Sequence, residues 1–296
     1  MAVSQAGRLV GLLPLSISRL PNWPDQLHDV SKAADEADCT ASDTYLLGGR
    51  GDIRGSILLD FSLGERERCL VASQAVQVAL HVARADRRHC AALYVPAEET
   101  ELSAALRTAG LTPRPAPARS VIRWPAATLD SYLAFLAGSH REIVRRDWRR
   151  RDAMGLSATS VRWDQAIEPA APLITATLAK HGYQTHAKLV AMRLRRWGTI
   201  LGPNGFALRA DAAGECLGYA FGWCDSNATI VYEVGLQFDG SALSRAAYLE
   251  LLIYGPLTAS CDRGLRVLDL GMFANEPKRL RGASHEPACH WILKVV

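Results

Sequence analysis

The sequence lacks the short motifs by which many catalytic sites are identified. It contains no Gly-x-Ser-x-Gly elbow, no P-loop and no His-Glu-x-x-His, and its 8 histidines show no spacing typical of zinc ligands. Its 7 cysteines are an odd number at wide spacings, and none forms a Cys-x-x-Cys. These absences argue against serine hydrolases with that elbow, P-loop nucleotide hydrolases and zinc peptidases. We expect neither a metal nor a redox cofactor.

A long apolar run and a strong charge of one sign are also missing. No window approaches the ~20 apolar residues of a membrane span. The apolar stretch near the N-terminus is interrupted by Pro14 and has no basic leader, so it is interpreted as a strand rather than a signal peptide. With widely spaced, reduced cysteines, these features favour a cytoplasmic protein without a membrane partner. The formal net charge is only +4, so an anionic partner would have to be met by a local basic patch.

Strand and helix patterns alternate through both halves of the chain, in the order expected of α+β lobes with mixed sheets. We expect two domains, residues 1–127 and 128–296, with a Pro-rich connection (TPRPAPA, residues 112–118) before the strand RSVIRW. The second domain is predicted to open on the helical segment TLDSYLAFLAGSHREIVRRDWRRRDAMG. This segment is either one long helix or two helices that abut at Gly138, with Gly155 as the C-cap.

The segment HREIVRRDWRRRDAMGL, residues 140–156, is rich in arginine. At about 100° per residue, five arginines share roughly half of the helix circumference, while Val144 and Trp148 lie on the other side. The five are Arg141, Arg145, Arg146, Arg149 and Arg150. Two i,i+4 pairs, Glu142–Arg146 and Asp147–Arg151, are expected to compensate part of the charge. The segment is therefore either a well-solvated helix or a guanidinium array for phosphates, which guanidinium groups bind in a bidentate manner.

A second group of candidate residues lies between residues 230 and 283. Tyr232 and Glu233 are adjacent on a predicted strand, so one is expected to face the core and the other a cleft or solvent. In a cleft, Glu233 would be a general base for an amine nucleophile; otherwise it is an exposed or paired carboxylate. Lys278 and Arg281 follow in a loop, where they either stabilise an oxyanion, bind an acidic substrate or are simply solvated. The candidates are Tyr232, Glu233 and Lys278 for catalysis and Tyr254, Asp269 and Arg281 for substrate binding.

Three motifs in this region resemble the C-terminal lobe of Fem-like GNAT acyltransferases. They are Tyr-Gly-Pro-Leu (254–257), Arg-Gly-Leu-Arg-Val-Leu-Asp-Leu-Gly (263–271) and Glu-Pro-Lys-Arg-Leu-Arg-Gly-Ala (276–283). That family commonly has an Asp/His-x-Gly strand end followed by a Lys and, four residues on, a Gly, as Lys278 and Gly282 are here. Its basic Arg-Arg-x-x-Arg-Arg helix after a Tyr-Leu segment is matched by residues 145–150 after Tyr132-Leu133. The resemblance covers roughly residues 8–290.

The resemblance implies a tandem GNAT architecture with two mixed α/β lobes. It leaves open an incomplete first lobe, because the chain begins almost directly at the first strand. The implied activity is formation of an amide bond to a small-molecule amine acceptor, with the acyl group taken from aminoacyl-tRNA or from acyl-CoA. The product would be a peptidic metabolite or a part of the cell wall.

The sequence departs from coenzyme-A-binding GNATs at the turn before the helix of the second lobe. Those proteins typically carry Gln/Arg-x-x-Gly-x-Gly/Ala there, whereas this chain has LQFDGSALSRAAY with the single glycine Gly240. We therefore expect aminoacyl-tRNA as the donor, held by the arginine segment. Two alternatives stay open. One is acyl-CoA bound at Gly240 and a helix-capping Ser244, and the other is a catalytically inactive GNAT fold that docks RNA or an acidic partner.

Overall fold

The structure is a computed structural model that describes residues 1–17, 30–33, 39–40, 43–49 and 54–294. Its internal contacts divide the chain into two compact units, residues 1–118 with 286–296 and residues 119–285. The sequence-based division into domains 1–127 and 128–296 concerns which segments fold independently, and it stays a prediction.

The first unit contains two sheets and three helices among its described residues. Strands β1 (Ala2–Gln5), β2 (Arg8–Leu12) and β5 (Leu58–Leu59) form an antiparallel sheet. The larger sheet has the order β3 (Leu15–Ser16), β4 (Thr44–Leu47), β6 (His89–Pro96) and β13 (Ser284–Leu293), with β4 parallel to β6. The helices are α1 (Val30–Ala33), α2 (Glu65–Ala85) and α3 (Thr100–Thr108).

Small side chains let α2 pack closely in the core of the first unit. Its buried face is mostly alanine and valine, and α3 adds two leucines to the same core. The core residues on these two helices include Ala72, Ala75, Val76, Ala79, Leu80, Ala83, Leu102 and Leu106.

The second unit, all of whose residues are described, is built on a six-stranded sheet. The strand order is β7 (Thr112–Arg123), β12 (Val267–Asp269), β11 (Thr229–Leu236), β10 (Glu215–Cys224), β9 (Gly205–Ala212) and β8 (Ser157–Val161). Its helices are α4 (Leu129–Phe135), α5 (Gly138–Ala153), α6 (Trp163–Lys180), α7 (Ala187–Leu201), α8 (Ala242–Leu249), α9 (Gly255–Asp262) and α10 (Asn275–Arg279).

Strand β11 is the irregular strand of this sheet. Its antiparallel register with β10 shifts between the pairs Phe221–Glu233 and Gly222–Val231, so Tyr232 is the extra residue of a β-bulge. On its other side β11 pairs in parallel with β12 at only two positions, Thr229–Leu268 and Ile230–Asp269. Beyond these two pairs the strands are no longer hydrogen-bonded to each other. The bulge at Tyr232 follows directly after this paired part of β11.

A single continuous helix follows β11. It runs from α8 through a π-helical turn, Glu250–Tyr254, into α9. π-Turns insert one extra residue per turn and occur often at functional sites, since they turn a side chain out of the regular helical register. Here the turn contains Glu250 and Tyr254, which are both buried.

The predicted alternation of strands and helices is confirmed, with differences at two places. The segment around Gly138 is two helices, α4 and α5, and Gly155 follows α5 with a φ of 59° as expected of a C-cap glycine. The Pro-rich connection is instead the first part of β7, because its prolines alternate at residues 113, 115 and 117 and so remove amide donors from one edge of the strand only. Helix α10 lies in what was expected to be a loop.

Candidate functional site

The outer side of α5 is an array of exposed guanidinium groups. Four of the five predicted arginines are exposed and form what we call the arginine face: Arg145, Arg146, Arg149 and Arg150. Val144 is fully buried and Trp148 packs against the core, as the periodicity predicted. An arc of four cations on one rigid helix suits a polyanion better than a single small anion.

The expected i,i+4 ion pairs on α5 are wrong. Glu142 pairs with Arg149 at 2.6 Å, and Asp147 turns inward to Arg281. Arg151 contacts Asp152 at 2.8 Å and Glu250 at 3.8 Å. Asp147 lies on the buried side of the helix, where residues of other elements compete for it. Within the described residues Arg145, Arg146 and Arg150 therefore keep their charge without an ion-pair partner.

Arg141 is the fifth arginine predicted to bind the acyl donor. Its side chain instead makes local hydrogen bonds. Its Nε donates to the Leu133 carbonyl at 2.8 Å, and its Nη2 donates to the carbonyls of Leu136 at 2.9 Å and Ala134 at 3.1 Å. These are the last carbonyls of α4, which a helix leaves without an internal partner. Arg141 thus joins α4 to α5, and most of its hydrogen-bonding capacity is used there.

Below the arginine face lies a buried polar network. Asp147 Oδ2 accepts hydrogen bonds from Tyr254 Oη at 2.7 Å and from Arg281 Nε at 2.9 Å and Nη2 at 2.5 Å. Arg281 also donates to the Pro277 carbonyl at 2.7 Å, and Tyr132 Oη donates to the Arg281 carbonyl at 2.8 Å. Burial raises the pKa of both tyrosines above the usual range. Both phenols therefore remain protonated hydrogen-bond donors.

The structure thus brings together two of the predicted substrate-binding residues, Tyr254 and Arg281. They meet on a buried carboxylate of α5 instead of in an open cleft, since the side chains of Arg281 and Asp147 are about one-tenth exposed. This contact fixes α5 to the π-turn and to the loop after α10. Direct contact of Tyr254 or Arg281 with a substrate stays a prediction.

Asp269 and Lys278, the other predicted residues of this region, organise the loop between β12 and α10. Asp269 pairs with Arg119 through Oδ2 and accepts the Gly271 amide at 2.8 Å through Oδ1. Lys278 Nζ donates to the carbonyls of Leu270 at 2.7 Å, Met272 at 3.0 Å and Gly271 at 3.3 Å. Burial lowers the pKa of Lys278 to about 8, against the opposing charge of Asp269. The ammonium clamps the loop, and its predicted role at an oxyanion stays a prediction.

The clamped loop is strained and reaches solvent. Phe273 and Ala274 have φ values of 65° and 47°, which are unusual for residues with a Cβ, and the Phe273 side chain is 43% exposed. Gly282, after the loop, has a φ of 90°, and a Cβ there would lie 2.4 Å from Leu136 Cδ2. The glycine four residues after Lys278 is therefore required by backbone geometry.

Three polar residues beside this loop were missed by the sequence analysis. Ser120 Oγ donates to Asn275 Oδ1 at 3.1 Å and lies 3.3 Å from His285 Nδ1. Ser120 is fully buried, whereas His285 is exposed, so the imidazole lies at the surface end of the cluster. The three residues are 10 to 165 positions apart in the sequence, and only the pairing of β7, β12 and β13 with the loop brings them together. No local motif could have identified them.

Tyr232 and Glu233 do not face opposite sides of the sheet, as a regular strand would require. The bulge lets both side chains contact α7, where Glu233 pairs with Arg193 and Tyr232 packs on Trp197, with ring centroids 5.2 Å apart. Trp223 stacks on Trp197 at 5.3 Å and completes the aromatic cluster. The expectation that Tyr232 and Glu233 face opposite sides of the sheet is therefore wrong. The contact of Glu233 with Arg193 corresponds to the second interpretation of this residue, a paired carboxylate.

Two amides at the N-terminus of α8 are bound by nearby side chains. The N-cap is Ser241, not Ser244, and Ser241 Oγ accepts the Ser244 amide at 3.0 Å. The Ser241 amide donates to Asp239 Oδ1 at 2.8 Å. A carboxylate at this position stabilises the helix dipole but repels a pyrophosphate. A diphosphate at this turn would have to compete with Asp239 for the Ser241 amide.

Glu250 in the π-turn is a buried acid that the sequence analysis did not single out. Its side chain is 7% exposed, its Oε2 has no hydrogen-bond partner among the described residues, and Arg151 Nη1 lies 3.8 Å away. Burial raises its pKa to about 7, with Arg151 opposing the shift. Near neutral pH this carboxyl therefore titrates in the folded protein.

Among the described residues no group of three or more His, Cys, Asp or Glu side chains could hold a metal ion. None of the described helices combines the length and the apolar character that crossing a membrane demands.

No protein-family model matches the chain, and no curated protein matches it by sequence. Solved structures do match. The crystal structure of FemX aligns with a TM-score of 0.65 at 10% identity, covering 100% of this chain and 87% of that chain. The C-terminal domain of a putative lysylphosphatidylglycerol synthetase from Agrobacterium fabrum aligns with a TM-score of 0.57 at 12% identity, covering 84% and 78%.

A third similar structure is a tandem GNAT protein from the clavulanic acid biosynthesis pathway. It aligns with a TM-score of 0.55 at 15% identity, covering 100% of this chain and 82% of that chain. At these identities the likeness concerns the fold. The expected two-lobed α+β architecture is confirmed: the chain shares the fold of FemX and of the tandem GNAT protein.

Proposed function

We propose that the protein is an acyltransferase that forms an amide bond to an amine acceptor and takes its acyl group from an aminoacyl-tRNA. The observation that carries the proposal is the arginine face, anchored through Asp147 to the interior of a unit with this fold. A helix that only needed solubility would pair its arginines with acids of its own, as Arg149 does with Glu142. Three unpaired guanidinium groups on one arc favour a phosphate backbone.

The reaction needs little help from acids and bases. The acceptor amine attacks the ester carbonyl of the aminoacyl-tRNA, the new C–N bond forms, and the C–O bond to the terminal ribose breaks. The proton lost by the amine ends on the released ribose hydroxyl. Attack on an activated ester depends mainly on positioning and on stabilisation of the oxyanion.

The residues assigned to this chemistry remain proposals. Glu233 is expected to accept the amine proton and Lys278 and Arg281 to stabilise the oxyanion or an acidic acceptor, with Tyr232, Tyr254 and Asp269 beside them. In the structure each of these groups has a protein partner or a packed ring, so substrate binding would have to compete with those contacts.

Acyl-CoA is the second candidate donor, and one observation favours it. Strands β11 and β12 pair at only two positions, so the bulged part of β11 lies beyond its pairing with β12. The tandem GNAT protein from the clavulanic acid pathway is described in a form without AcCoA. Asp239 argues against this donor, because its carboxylate already accepts a hydrogen bond from the Ser241 amide at the start of α8.

Binding measurements separate the two donors. Bulk aminoacylated tRNA and acetyl-CoA are titrated into the full chain at two salt concentrations. We expect salt-dependent tRNA binding that falls about tenfold or more in the Arg145→Gln/Arg149→Gln variant, since each lost phosphate contact costs roughly 1 kcal/mol. A solvated helix without a ligand predicts no change.

The matched control is Arg66→Gln/Arg84→Gln, which removes two exposed arginines from α2 in the first unit. It should leave tRNA affinity unchanged. Tight acetyl-CoA binding with negligible tRNA affinity would replace the donor by acyl-CoA. Retained tRNA affinity with no transfer to any pool of amines would instead identify a binding module.

A further inference from the structure

The outer surface of α7 combines large apolar side chains with cations. Leu189, Met192 and Ile200 are 42%, 62% and 65% exposed, and their spacing places them on one side of the helix. Lys188 and Arg196 lie on the same exposed side. We call these five residues the α7 outer face. Single exposed apolar residues are ordinary, but three such residues on one four-turn helix form a patch.

The charge around this face is predominantly positive. Residues 162–201, which include α6 and α7, contain six Lys or Arg and only two acids, Asp164 and Glu168. Both acids are paired, Asp164 with Arg162 at 2.7 Å and Glu168 with Arg195. Lys188 and Arg196 have no ion-pair partner among the described residues, so the face is cationic as well as apolar.

A shallow groove runs beside the face. Its volume is about 290 Å³, and it is lined by small apolar residues of α6 and α7 together with Lys188 and the Glu168–Arg195 pair. The apolar lining residues are Ala171, Pro172, Ala187 and Ala191. The groove offers apolar contact within a few ångströms of positive charge.

We propose that the α7 outer face docks the protein on an anionic lipid bilayer. A helix that lies in the bilayer interface buries apolar side chains below the headgroups while its Lys and Arg side chains bind the lipid phosphates. RNA would use the cations but would gain nothing from three exposed aliphatic side chains. This surface is separate from the arginine face, so the inference goes beyond the proposed donor and does not depend on it. The proposal departs from the sequence-based expectation of no membrane partner, which was argued from the lack of a spanning segment.

Vesicle co-sedimentation of the full chain tests the proposal. The vesicles contain phosphatidylcholine alone or phosphatidylcholine with one-third phosphatidylglycerol. We expect binding to the anionic vesicles that weakens with salt. Lys188→Gln/Arg196→Gln should reduce the partition coefficient about 30-fold, since each cation near an anionic surface contributes roughly five- to sixfold. Met192→Ser/Ile200→Ser should reduce it by roughly tenfold or more.

Two matched variants control for nonspecific effects. Leu70→Ser/Val78→Ser removes apolar side chains of similar exposure, 54% and 49%, at the same eight-residue spacing on α2. Arg145→Gln/Arg149→Gln removes two cations from the arginine face. Both should bind anionic vesicles like the unchanged protein, and circular dichroism should show that all four variants fold.

Several outcomes would overturn the docking proposal. They are absence of vesicle binding, equal binding to neutral vesicles, and unchanged binding by the Met192→Ser/Ile200→Ser variant. A dimer in solution that this variant dissociates would assign the face to a second copy of the chain. Loss of tRNA affinity in Lys188→Gln/Arg196→Gln, with vesicle binding intact, would assign it to RNA.

Discussion

Glu250 shows how burial changes the chemistry of a single residue in this protein. The π-turn places its carboxyl in the core of the second unit, where Arg151 is near but does not form a hydrogen bond. A charged form in such surroundings is costly, and the group gains a proton instead. Its pKa of about 7 therefore links stability to pH near neutrality.

We expect Glu250→Gln to stabilise the protein at pH 8 but not at pH 4. Between the unfolded pKa near 4.5 and the folded pKa near 7, the folded state holds a proton that the unfolded chain has released. Stability therefore falls as pH rises through this window, and glutamine removes that loss, which is at most about 3 kcal/mol. Urea denaturation at both pH values measures it. An equal effect of the substitution at pH 4 and pH 8 would show that Glu250 does not titrate in this range.

Lys278 is a second residue whose position determines its chemistry. Its three hydrogen bonds to backbone carbonyls leave an ammonium with a full set of acceptors inside the protein. We expect Lys278→Met to lower the free energy of unfolding by roughly 2–4 kcal/mol, since three carbonyls lose their donor. Thermal and urea denaturation measure the loss.

The comparison with Lys278→Arg separates loop organisation from catalysis. Transfer activity is measured for each variant at a temperature where that variant is folded. If Lys278 only clamps the loop, the order of the transfer activities should follow the order of the stabilities. A folded variant with nearly unchanged stability and a large loss of kcat at constant KM would place the ammonium at the oxyanion.

At the scale of elements, α5 is joined to the interior by one carboxylate. Asp147 receives hydrogen bonds from the π-turn and from the loop after α10, so these elements fix the orientation of the arginine face. We expect Tyr254→Phe to cost about 1–2 kcal/mol of stability, since a hydrogen bond to a charged acceptor is lost. Asp147→Asn should cost about 3–5 kcal/mol, since it leaves Arg281 buried without its counter-charge.

Denaturation of both variants and the double variant tests this coupling. The double variant should lose less than the sum of the two single losses, because both remove parts of one network. Strict additivity would show that the two contacts act independently. A rise in the KM for the acceptor with Tyr254→Phe, at unchanged stability, would support the substrate-binding role predicted for Tyr254.

The bulge in β11 is the other element that determines the arrangement of predicted residues. By adding Tyr232 to the strand, it places Tyr232 and Glu233 on one side, against Trp197 and Arg193 of α7. A sequence pattern with period two cannot show such a shift, because a bulge changes the face of every later residue.

At the scale of the whole molecule, a small net charge conceals two basic surfaces. The chain carries +4 in total, yet residues 162–201 alone contain six cations against two acids, and α5 contains a further group of arginines. Long-range attraction of polyanions therefore depends on where the charges lie, not on their sum.

If the arginine face binds tRNA through four phosphate contacts, its affinity should fall roughly 50- to 150-fold between 50 and 200 mM salt. Fluorescence titration at several salt concentrations gives the slope of log K against log salt. In the Arg145→Gln/Arg149→Gln variant we expect the slope to decrease by about half. A slope near zero in the unchanged protein would rule out a phosphate-dominated interaction.

The sequence by itself determined the alternation of elements, Gly138 as a candidate break, the arginine face and the likeness to Fem-like GNAT proteins. Each of these depends on local spacing, since helical periodicity and cap residues act within a few positions. Tertiary structure decided which charges are available. Asp147 leaves its expected partner for Arg281, 134 residues away, and Lys278 turns from an expected substrate contact to the carbonyls of its own loop. The cluster of Ser120 and His285 likewise exists only where distant strands meet. Ion pairs and buried hydrogen bonds form wherever folding brings partners together at low solvent exposure, and local sequence does not encode that meeting.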